Sequence, residues 1–128
     1  MKIKFFEVII FFLQFNIFLK SILSAYSHHT LLEIVRHFRV EKYFLYLFGL
    51  DNIYAASKID LGKKLMKKLQ VDFKNILLIG DTIHDFDVAK EIGVDCVLIS
   101  NGHQSKDRLL TCGVPVLNSL KDLVKKWD

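Results

Sequence analysis

Asp81 and Asp85 follow Gly80 in the run Asn75-Ile76-Leu77-Leu78-Ile79-Gly80-Asp81-Thr82-Ile83-His84-Asp85, where an unbroken apolar segment empties through a glycine into two carboxylates. Carboxylates held together in this way can carry a divalent cation. Mg²⁺ suits them, because it prefers hard oxygen donors and binds through one or two carboxylates completed by water and phosphate. Taken alone, GDxxxD is a weak signal, since acids at strand ends also serve hydrogen bonding and solubility. Two more residues strengthen it: Ser24 closes another apolar segment, and Lys58 stands just before a helical pattern. Each has a plainer reading, Ser24 as a cap for local backbone and Lys58 as a solvated lysine at a helix start.

These residues need elements to position them. Residues 76–79 lack alternation, as expected of a strand buried on both faces, and Val88, Ala89 and Ile92 then recur at helical spacing. Gly80 allows a sharp turn at the strand's carboxyl end, where open parallel sheets present ligands, so Asp81 and Asp85 are expected to face a crevice. A strand over 21–25 precedes a helix capped by Ser27, whose apolar face is Leu31, Leu32, Ile34, Val35 and Phe38. Residues 43–50 read as a short helix and turn, and 52–56 as a short extended segment. Leu61, Leu65 and Leu69 mark one face of a helix that is lysine-rich on the other. A strand over 94–99, a short helix from Ser105, a strand over 114–117 and a terminal helix with Ser119 and Asp122 as capping box complete the order. Strands alternating with helices predict an α/β layered fold with a mostly parallel sheet.

The 128 residues, 52% of them hydrophobic and one of them proline, suit a single domain. The net charge of +4 comes largely from Lys63, Lys64, Lys67, Lys68, Lys121, Lys125 and Lys126. These read as solvated helix faces, with an acidic partner as the other reading. No aromatic residues interleave with them, which argues against a nucleic-acid groove. Cys96 lies in an apolar run and Cys112 before Gly113, so neither a metal pair nor a disulfide framework is expected, and a reducing, cytoplasmic setting follows. His28, His29, His84 and His103 do not converge in the sequence as a ligand set would. Lys2 and Lys4 precede an apolar stretch over 5–19, interrupted by Glu7, Gln14 and Asn16. It reads either as a signal or anchor, with a cut after Ala25, or as a buried apolar helix within 1–20 that feeds the strand at Ser21. The helix, over 5–16, is the assignment adopted; the stretch is short for a membrane span.

The order of Ser24, Lys58 and GDTIHD, followed by Asp87-Val88-Ala89-Lys90-Glu91-Ile92-Gly93, resembles the haloacid dehalogenase (HAD) superfamily, in particular its phosphoglycolate-phosphatase-like branch. The resemblance covers residues 17–127 and is most specific over 76–102, where Ile99-Ser100-Asn101-Gly102-His103 is similar to the family's next strand and glycine turn. It implies a Rossmann-like three-layer core and a Mg²⁺-dependent phosphomonoester hydrolase acting on a small phosphorylated metabolite. On this resemblance Ser24, with the backbone N–H of Ala25, binds the phosphoryl group. Lys58 offsets its charge and orients the nucleophile, and Asp81 and Asp85 hold Mg²⁺.

The family's first motif, DxDxT with its aspartate nucleophile, has no counterpart, because no aspartate precedes Asp51. Laying residues 8–14 over that strand would put Phe12 and Gln14 where the two aspartates belong. Too few residues would then remain before Ser21 for a parallel crossover, which needs about a dozen. The resemblance therefore implies a carboxyl-terminal portion without the nucleophile strand or cap, inactive alone. Two sheet edges would need cover from the amino-terminal segment, by rearrangement, by self-association or by a second chain. A noncatalytic α/β binding or assembly module is the alternative.

Overall fold

The computed structural model describes residues 8–14, 17–24, 26–49, 58–100, 104–119 and 122. The chain starts its sheet with a hairpin: β1 (Val8–Gln14) and β2 (Ile17–Leu23) pair antiparallel from Val8↔Leu23 to Gln14↔Ile17. This corrects the expected helix over 5–16. The Val-Ile-Ile-Phe-Phe-Leu run of β1 is β-branched and aromatic, which favours a strand. The connection to β2 is too short for a crossover, and an antiparallel hairpin is the pairing it permits.

β1 also pairs antiparallel with β4 (Ile76–Gly80), from Ile9↔Ile79 to Phe12↔Ile76. Parallel pairings supply the rest: β2 with β3 (Tyr46–Phe48), β4 with β5 (Asp95–Ile99), and β5 with β6 (Val116–Leu117). The sheet order is β3-β2-β1-β4-β5-β6, a mixed sheet in which β1 alone runs against its neighbours. The slot between β2 and β4, whose edges were expected to need cover, is thus filled by the amino-terminal segment, the first of the ways expected. Within residues 43–50, expected as a helix and turn, the chain instead leaves a 3₁₀ turn (Glu41–Tyr43) and enters β3, because pairing with β2 decides an aromatic segment that has no period of its own.

Helices cover both faces. α1 (His28–His37) begins at Ser27, whose side chain caps it by accepting from the Thr30 amide. Leu31 and Val35 of α1 pack on Ile22 together with Val40, Phe44 and Leu47. α2 (Lys58–Leu69) and α3 (Ile83–Ile92) lie on the opposite face, where Leu61, Leu65 and Leu69 meet Leu23, Leu78, Val88, Ile92 and Leu98. Lys63, Lys64, Lys67 and Lys68 are exposed, as the amphipathic pattern requires. Lys68 is not merely solvated, since its Nζ lies 4.7 Å from the centre of the Tyr46 ring on edge strand β3. The short α4 (Lys106–Leu110) leads into β6. The expected extended segment at 52–56 and nearly all of the expected terminal helix lie outside the described residues. Among the described residues no helix is long and apolar enough to cross a membrane.

Candidate functional site

The parallel strands β2 and β4 point their carboxyl ends to the same edge of the sheet, because both run antiparallel to β1. Ser24 follows the first and Gly80 ends the second. They stand two strands apart, about 10 Å across the intervening β1. The sheet therefore brings Ser24 and Asp81 to one edge, and β1 meets that edge with its amino-terminal end. Gln14 falls at the opposite end, beyond Phe12, which pairs with Ile76 at the start of β4. Neither Phe12 nor Gln14 occupies a carboxyl-edge position.

At the β4 turn, Asp85 is 1% exposed. Its Oδ2 accepts hydrogen bonds from the Asp81 amide at 3.0 Å and the Thr82 amide at 3.2 Å. Thr82 Oγ1 in turn accepts from the Asp85 amide at 3.1 Å, which closes a reciprocal capping box at the start of α3. Gly80 makes this possible. A Cβ there would fall on the Asp85 side chain, 2.7 Å from Oδ2, 2.8 Å from Cγ and closer still to Cβ, so the carboxylate packs against bare backbone. Asp81 is half-buried at the mouth of the turn. Asp85 is therefore first a structural acid that shapes the loop from within, while Asp81 is the better presented of the two.

Ser24 is fully buried, and its hydroxyl turns into its own loop, accepting from the Tyr26 amide at 3.0 Å. Its amide donates to Phe48 O at 2.9 Å, which ties the loop to β3. Gly49 keeps that loop close, because a Cβ there would lie 2.6 Å from the His28 nitrogen and 2.7 Å from Tyr26 O. Ala25 lies outside the described residues. Lys58 begins α2, as expected, but its side chain also lies outside them.

Two residues escaped the sequence reading. Thr82 caps α3, and its place three residues before Asp85 was the available signal. Gln104 accepts a hydrogen bond from the Ile83 amide at 2.7 Å, and no local pattern announces a contact spanning 21 residues. Of the histidines, His84 is exposed on the first turn of α3 and His29 pairs with Glu33 at 2.6 Å, while His103 lies outside the described residues. Among the described residues no three His, Cys, Asp or Glu side chains cluster as a metal site. The donor set that remains, Asp81 after β4 and Asp85 in the first turn of α3, fits Mg²⁺, for which one or two carboxylates suffice.

A family model described as HAD-hydrolase-like matches residues 60–123. A 5′-nucleotidase of Pseudomonas aeruginosa is 33% identical over 79 residues, covering 60% of this chain and 35% of that protein. Tyrosine-protein kinase PtkA of Mycobacterium tuberculosis is 26% identical over 88 residues, covering 68% and 30%. A solved haloacid dehalogenase-like hydrolase from Streptococcus pneumoniae shares the fold with a TM-score of 0.76 at 18% identity, over 84% of this chain and 51% of that one. The chain thus spans about half the length of that solved relative and about a third of the curated ones.

Proposed function

Since the chain belongs to the HAD-like hydrolase family, we propose that its carboxyl edge is the phosphate- and cation-holding half of a Mg²⁺-dependent phosphomonoester hydrolase site of the phosphoglycolate-phosphatase type. The observation that carries this reading is the β4 turn, where Asp85 is locked beneath Gly80 and Asp81 is presented beside it. Asp81 and Asp85 would hold Mg²⁺, which when bound offsets charge on the phosphoryl oxygens. Phosphoryl transfer depends chiefly on positioning and charge neutralisation, and the remaining parts supply these. Ser24, with the Ala25 amide, donates to a phosphoryl oxygen once its hydroxyl hydrogen points to the crevice, and Lys58 balances charge from the start of α2. The substrate class is a small phosphorylated metabolite in the cytoplasm.

The chain by itself is expected to be inactive. β1, the strand between the two halves of the site, is Val-Ile-Ile-Phe-Phe-Leu-Gln and brings no carboxylate. An aryl phosphate assay with Mg²⁺ tests this: no turnover above background is expected. Robust turnover abolished by Asp81→Asn would show that a nucleophile is present after all.

A noncatalytic assembly module is the second reading, favoured by the same strand, since β1 completes the sheet with apolar residues. Sedimentation with and without Mg²⁺ separates the two. A defined oligomer indifferent to Mg²⁺ supports assembly, whereas a monomer stabilised by Mg²⁺ with phosphate supports the phosphatase remnant.

A further inference from the structure

We propose that Gln104 is a positioning residue for the Asp81–Asp85 cation site, clamping the first turn of α3 from outside. The inference rests on the metal reading of that site. Ile83 is the first helical residue of α3, and an amide there has no acceptor within its own helix. Such amides ordinarily go to a cap or to water. This one donates instead to Gln104 Oε1 at 2.7 Å, from a residue beyond the next strand. The amides of Asp81 and Thr82 are taken by Asp85, and that of Asp85 by Thr82, so Gln104 is the one contact among these that reaches the turn from another element.

Gln104 is itself held. Its neighbour Ser105 caps α4, the hydroxyl accepting from the Arg108 amide at 3.3 Å. Four residues upstream, the Ser100 amide donates to Leu117 O at 2.8 Å, and its hydroxyl donates to the same oxygen at 3.3 Å. The residues that flank the clamp are therefore anchored to β6 and α4. A glutamine also suits the position chemically, because it offers an acceptor beside two aspartates without adding a third negative charge. Residues that orient metal ligands from outside typically govern about 10–100-fold in metal affinity.

The test is Mn²⁺ titration of the whole chain, followed by water-proton relaxation, alongside amide hydrogen exchange at Ile83. Gln104→Ala is expected to weaken Mn²⁺ binding about tenfold and to speed exchange at Ile83. Gln104→Met, of similar length but with no oxygen acceptor, should do the same should the alanine variant fold poorly. Gln104→Glu retains an acceptor and should restore slow exchange at Ile83, a readout that neither a loss of mere bulk nor added charge at the cation would produce. Wild-type affinity in the Ala and Met variants, or exchange at Ile83 as fast in Glu as in Ala, overturns the inference. A wild-type chain that takes up no Mn²⁺ would instead overturn the metal reading itself.

Discussion

Asp85 is the residue on which the site turns, because one carboxylate serves two purposes that mutation can separate. Its Oδ2 satisfies two amides that would otherwise be buried or strained at the β4 turn. Replacing it with alanine removes two charge-assisted bonds and a cap, and should cost about 3 kcal/mol in urea unfolding. Asp81→Ala, at a half-exposed position, should cost about 1 kcal/mol or less. Equal costs would mean that the two acids share one structural role. Gly80→Ala tests the same packing from below. The added methyl must displace the Asp85 side chain, for an expected loss of about 1–3 kcal/mol and a weaker response to Mg²⁺ in the same unfolding measurement.

Among the elements, β2 carries an oddity at its centre. Ser21 is fully buried, lies in register between Ile10 and Tyr46, and its hydroxyl has no hydrogen-bond partner among the described residues. An unmade buried bond costs about 1–3 kcal/mol. Ser21→Ala should therefore raise the free energy of urea unfolding by up to about 1 kcal/mol after the lost contacts are counted; a clear destabilisation would reveal a partner for the hydroxyl. The elements also show what the sequence could disclose. β4 and α3 were legible because residues 76–79 form an unbroken apolar run and Val88, Ala89 and Ile92 keep the helical period, so the places of Asp81 after β4 and Asp85 in the first turn of α3 were legible with them. β1 was not, since six apolar residues without alternation suit a buried helix and a buried strand alike. Nor was β3, where Tyr46 and Phe48 become a strand only through β2. Gln104 stayed hidden for a related reason, since its partner is set by tertiary structure.

The whole molecule feels the burial of Cys96, which lies on β5 within the core shared by α2 and α3. Burial first, then the negative charge of Asp85 and the nearby Cys112, pushes its thiol up from 9.0 to about 12. The folded chain therefore keeps a proton that the unfolded chain releases above pH 9. The stabilisation is complete below that pH and is lost as pH rises toward 12, at up to about 1.4 kcal/mol per pH unit. Urea unfolding from pH 8 to 10.5 should show the decline, and Cys96→Ala should flatten it despite a lower starting stability. A slope unchanged in the variant would assign the effect elsewhere. The placement of β1 bears, finally, on how the molecule comes to be folded. Its bonds to β2 are local and can close within about 1–10 μs, the time of a hairpin. Its other edge belongs to β4, about 70 residues later from Ile9 to Ile79. The hairpin is complete at Leu23, so at synthesis rates of about 5–20 residues per second it waits roughly 3–11 s for Ile79. During that interval an apolar strand edge is bare, and the nascent chain is most open to chaperones and to pairing with the wrong strand.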